Sequence, residues 1–99
     1  MTNSDIQQVI KAPHVLVQVL EGEAVLLNLD NGYYYGLDAT GYRMYQLLMA
    51  SNSVNDAYAA LLEEYEIAPE QLHSDLKTLL EDLLKHGLVV ECQKPIGIS

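Results

Sequence analysis

The sequence predicts an α+β domain in which a three-stranded antiparallel sheet is followed by three helices. Apolar residues alternate with a period of two from His14 to Leu37, broken only at Glu21-Gly22 and Asp30-Asn31-Gly32. After Asp38 the period changes to 3.6. Breaks at Ser51-Asn52-Ser53 and Glu66-Ile67-Ala68 then divide the helical stretch into three.

In the first strand, His14 to Leu20, Val15, Val17 and Val19 share one face, and Leu16, Gln18 and Leu20 the other. Glu21-Gly22 supplies a tight turn. Ala24 to Leu29 is the second strand, with Val25, Leu27 and Leu29 on one side. Asn31-Gly32 accepts the positive φ of a hairpin turn. The third strand, Tyr33 to Leu37, is short and aromatic. Asp38 or Thr40 caps the first helix, which runs to about Ala50. Ser53 caps the second, which carries Ala57, Tyr58, Leu61, Leu62 and Tyr65. Pro69 suits the first position of the third helix, where no N–H is needed, and Gly87 suits its left-handed C-terminal cap. Leu88-Val89-Val90 adds a short strand placed like the wing of a winged helix-turn-helix.

Ninety-nine residues suffice for one small core. The domain is expected over 13–91, after a flexible N-terminal segment, 1–12, and before a C-terminal tail, 92–99. Five Lys+Arg against fourteen Asp+Glu give a net charge of −9, which argues against a nucleic-acid surface, since phosphate affinity comes from Lys and Arg. A hydrophobic content of 49% argues against disorder. No apolar run is long enough to span a membrane, and Met1 to Gln8 lacks signal-peptide character. The single cysteine, Cys92, cannot form an intrachain disulfide. A reduced, cytoplasmic protein is expected.

Catalytic chemistry is sparse. CxxC, HExxH and DxDxDG patterns are absent, so neither a metal nor a cofactor is expected, and the protein reads as a non-enzyme. His14, His73 and His86 are expected in structural roles, with His86 paired to Asp82 one turn earlier. Glu63, Glu64, Glu66, Glu70, Asp75, Glu81 and Asp82 read mostly as a solvated face. Asp75 and Asp82, seven apart, lie on one side of the third helix beside the stripe Leu72, Leu76, Leu79 and Leu83. Two carboxylates beside an apolar groove could receive Lys or Arg from a peptide.

The third strand pairs on one side with the second, and nothing later in the chain pairs with its other side. Tyr33-Tyr34-Tyr35-Gly36 holds neither charge nor Pro, the usual guards of a bare edge. Such an edge can accept an extended peptide as an added strand. The plain alternative is an edge shielded by the third helix or by dimerisation.

Three stretches, Glu23–Leu29, Asn31–Asp38 and Gly41–Leu48, resemble the PqqD-like family, and Glu64–Ile67, Asp75-Leu76 and Leu79–Val89 continue the match. The chain is especially similar to the stand-alone recognition protein of lasso-peptide clusters, although Tyr45 stands where many members carry Trp. The resemblance implies a recognition element for ribosomally made, modified peptides. It would bind a precursor's leader as an extra antiparallel strand and deliver it to a leader peptidase or other tailoring enzyme. Leaders in lasso systems tend to carry a Tyr and a Pro a few residues apart. Carried over by position, the peptide-binding candidates are Tyr33, Tyr34, Tyr35, Gly36 and Leu37 on the strand, with Asp75, Leu76, Leu79, Asp82 and Leu83 on the helix. The opposite flank, His73, Leu80 and Leu84, is the other choice. No nucleic-acid or membrane partner is implied, and a monomer or weak dimer is expected. The competing reading is a winged-helix DNA-binding regulator, which the acidic third helix disfavours.

Overall fold

The computed structural model describes residues 8–91. Eight elements follow in order: β1 (Val9–Lys11), β2 (Val15–Leu20), β3 (Glu23–Asn28), β4 (Tyr34–Leu37), α1 (Ala39–Ala50), α2 (Val54–Glu64), α3 (Pro69–Lys85) and β5 (Val89–Glu91). The sheet β2-β3-β4 is antiparallel throughout, as expected. The wing-like strand β5 does not join that sheet. It pairs antiparallel with β1, which lies in a stretch where the sequence analysis placed no strand. The reason is packing: Val9 and Ala12 are buried beside Leu88 and Val89, so the packed body begins ahead of residue 13. Cys92, the C-terminal tail and residues 1–7 lie outside the described residues.

Local chemistry accounts for the element ends. Glu21 (φ 52°) and Gly22 (φ 84°) are both left-handed, as a two-residue hairpin turn of matching twist requires. Asn31-Gly32 does not make that turn. Only Gly32 is left-handed (φ 75°), and the Asn28 N–H donates across the loop to the Tyr33 carbonyl at 2.8 Å. A four-residue loop, 29–32, therefore replaces the two-residue turn. Asp38 caps α1, its Oδ1 accepting from the Gly41 N–H at 2.8 Å. Ser53 caps α2, its side chain accepting from the Asp56 N–H at 3.0 Å. Pro69 opens α3, and Gly87 (φ 69°) follows its end while the Leu88 N–H returns to the Leu83 carbonyl at 2.9 Å.

The core lies between one face of the sheet and the helices. The cross-strand register places Val15, Val17, Ala24, Leu26, Asn28, Tyr35 and Leu37 on the inner face. Helix α1 packs against β1, β3 and β4, while α3 packs against α2 and β5. Met44, Tyr45 and Leu48 of α1 meet Leu72, Leu76, Leu79, Leu80 and Leu83 of α3 in one buried cluster. Each fully buried leucine contributes about 1.5–3 kcal/mol through removal of apolar surface from water. A bidentate ion pair between Arg43 and Glu64 joins α1 to α2 at the surface, with Nη2–Oε2 at 2.6 Å.

Candidate functional site

The site is built on β4, which bonds to β3 and, among the described residues, to no other strand. In an antiparallel pair the hydrogen-bonded positions alternate. The bond from the Asn28 N–H to the Tyr33 carbonyl sets that alternation. With the register Leu26↔Tyr35 and Ala24↔Leu37, residues 33, 35 and 37 direct their backbone groups to β3. The N–H and C=O of Tyr34 and Gly36 consequently point away from β3, along the bare edge. Their side-chain positions face the outer surface of the sheet, where Tyr34 is 71% exposed.

Tyr33 and Tyr35 reach instead toward the end of α3. The Tyr35 hydroxyl donates to Asp82 Oδ2 at 3.0 Å. The Tyr33 ring stacks on His86 with centroids 4.1 Å apart and planes within 13°, and its hydroxyl lies 3.3 Å from His86 Nε2. The Asp82–His86 pair expected along the helix is not formed among the described residues, because both side chains are taken by tyrosines of the hairpin. His73, on the other flank, meets the edge of the Tyr58 ring at 5.7 Å and so faces α2. These contacts place the Asp82 flank of α3 beside β4. Asp75 lies two turns earlier on that flank, half-buried and accepting from Gln71 Nε2 at 2.9 Å.

The candidate residues therefore separate. Tyr33, Tyr34, Tyr35 and Gly36 are on the edge or its flanks, Asp82 meets it through Tyr35, and Asp75 lies two turns away along the same helix flank, bonded to Gln71. Leu37, Leu76, Leu79 and Leu83 are core residues, only 5%, 3%, 7% and 0% exposed. The α3 leucines were expected to line an open groove; in the free chain they are instead buried in the core cluster, on a helix that packs against α2 and β5. Two residues were missed by the sequence analysis. His86 supports Tyr33, and its position four after Asp82 was the available signal. Asn28, 3% exposed, ties the hairpin to the helix end: its Nδ2 donates to the His86 carbonyl at 3.2 Å and its Oδ1 accepts from the Asp30 N–H at 2.9 Å. No short-range pattern announces that bond across 58 residues.

The environment also holds the proton on Tyr35. Burial, aided by the hydrogen bond to Asp82 and the negative charge of that carboxylate, pushes its pKa from 10.0 up to about 12. Since the folded chain resists ionisation that the unfolded chain undergoes near 10, this contribution to stability is complete below pH 10 and disappears as pH rises toward 12. An ultraviolet titration should show a tyrosine ionising near pH 12, and Tyr35→Phe should remove that step. An unchanged alkaline profile in the variant would disprove the assignment.

Among the described residues, no cluster of three or more His, Cys, Asp or Glu could hold a metal ion, and no helix is long and apolar enough to cross a membrane. What the fold and site define is a small α+β domain that presents, among the described residues, one strand edge without a partner beside an acidic helix flank. The chain belongs to the PqqD family, residues 23–89 matching the model for coenzyme PQQ synthesis protein D. Two solved structures are similar. TbiB1 in complex with the TbiA(beta) leader peptide is 28% identical, with a TM-score of 0.76 over 86% of this chain and 99% of that one. Lasso peptide synthetase B1 complexed with the leader peptide is 25% identical, with a TM-score of 0.75 over 84% of this chain and 98% of that one. No curated protein matches the chain.

Proposed function

We propose that this protein is a non-catalytic recognition element that binds the leader of a ribosomally made precursor, of the lasso-peptide class, as an antiparallel strand added to β4. The carrying observation is the bare edge, where the backbone groups of Tyr34 and Gly36 have no partner strand among the described residues. Main-chain bonds to this edge supply affinity, and side-chain contacts supply selectivity. Further support comes from the two structures of like fold, each bound to a leader peptide. Bound this way, the leader holds its precursor for a leader peptidase or other tailoring enzyme. The recognition unit spans 13–91, with β1 packed onto it.

Asp75 and Asp82 give the α3 side of the edge its negative charge and favour a leader with Lys or Arg at that position. Calorimetry with the cognate leader should give one-to-one binding. Asp75→Asn should weaken it by about two- to fivefold at low salt, and the difference should shrink as salt screens the charge. Equal affinity for the two proteins at low salt would remove Asp75 from the site.

A further inference from the structure

The outer face of the sheet carries a hollow of about 240 Å³ lined by Gln18, Leu20, Glu23, Val25, Gly36 and Asp38. Gln18, Val25 and Gly36 form one cross-strand row, because Gln18 pairs with Val25 and Val25 with Gly36. Gly36 ends that row with no side chain, and a Cβ built there meets nothing within 4 Å. Its φ is not left-handed, so neither a turn nor a close backbone approach requires glycine at this position. Val25 is left 36% exposed and Leu20 67% exposed. A glycine in a strand commonly marks a place where another group comes close, and an aromatic side chain on the neighbouring strand is the usual cover. The only neighbour β4 still lacks is a strand on its bare side.

We propose that this hollow is a subsite for one side chain of the docked strand, namely a bulky apolar, preferably aromatic, residue opposite Gly36. The proposal rests on strand addition and specifies which leader residue the site selects. Gly36 directs its own N–H and C=O to the bare edge, so the residue opposite it forms a directly bonded pair and places its side chain on the same outer face. That side chain lies across Gly36 against Val25. Glu23 and Asp38 add carboxylates at one end of the hollow. One Asp38 oxygen is engaged by the Gly41 N–H, and the other has no hydrogen-bond partner among the described residues and can face a cation. In an antiparallel strand, the residue facing Asp38 comes two positions before the one facing Gly36. A Lys or Arg there completes the motif: cation, any residue, bulky apolar residue.

The test is selection of a random-peptide display library on the full-length protein and on Gly36→Val. Val is favoured in strands and meets open space here, so the variant should fold with an unchanged or higher melting temperature. Peptides selected on the native protein should share the large apolar residue with Lys or Arg two positions before it. Those peptides should bind Gly36→Val at least about tenfold more weakly, and selection on the variant should enrich small residues at the same position. In both proteins the bound peptide should shift the Tyr34 amide resonance. Equal size preference on the two baits, with the Tyr34 amide still shifting, would overturn the subsite and leave strand addition intact. Selected peptides that leave the Tyr34 amide unmoved, or a library from which nothing is selected, would overturn strand addition and the subsite together.

Discussion

Tyr34→Pro is expected to weaken leader binding by about ten- to a hundredfold while leaving the fold in place. Tyr34 is the first residue of β4, a strand position that tolerates proline. Its N–H points to the bare edge, so the substitution removes no bond to β3. Its side chain is 71% exposed, so little core packing is lost. What disappears is one main-chain donor to the incoming strand, and the proline ring occupies the space that strand needs. Tyr34→Ala is the control, since it deletes the same phenol and keeps the N–H. Calorimetry should rank affinity as native, then Ala, then Pro, with the largest gap between Ala and Pro. Equal binding by the two variants would mean that the edge backbone does not carry the interaction.

Leu83→Ala should act in the opposite manner. Leu83 is 0% exposed at the heart of the α3 packing. Truncating a buried leucine typically costs about 2–5 kcal/mol, from lost transfer energy and the cavity left behind. For a domain this small, each kcal/mol lowers the melting temperature by about 4–8 °C, so a fall of about 8–40 °C is expected. The fraction that remains folded should bind leader almost as well as the native protein, because the leucine has no surface to offer a ligand. A near-native melting temperature combined with lost binding would return Leu83 to the groove and overturn its placement in the core.

These two variants separate what short-range pattern reveals from what it hides. Asp38, Ser53, Pro69 and Gly87 mark helix ends through chemistry contained within one turn of chain, and each acts as its residue type implies. The alternation of β2 and β3 shows which residues share a face but not which face is buried: Val25, Leu27 and Leu29 of β3 turn outward, while Ala24, Leu26 and Asn28 are buried. β1 was invisible because three residues, Val9–Lys11, carry too little periodicity, and their partner β5 lies at the far end of the chain. Asn31-Gly32 was misread in kind because the buried Asn28 side chain and a bond to the Tyr33 carbonyl shape a longer loop. For the site, the tyrosine-rich edge was legible as a strand without charge or proline. That Tyr33 and Tyr35 share one face and Tyr34 takes the other follows from the period of two, but which face turns inward does not. The roles of the α3 leucines were not. An apolar helical stripe reads alike whether it lines a groove or fills a core, and only the tertiary packing around it decides. The hold of Asp82 and His86 on Tyr35 and Tyr33 is likewise set by tertiary approach, across separations of 47 and 53 residues.

Amide hydrogen exchange, read residue by residue with and without the cognate leader, tests strand addition most directly. Tyr35 and Leu37 are bonded to β3 in the free protein, so their amides should exchange slowly in both states. Tyr34 and Gly36 should exchange quickly alone and become strongly protected once the leader is bound. Saturating leader that leaves the Tyr34 and Gly36 amides exchanging as fast as before would contradict the account.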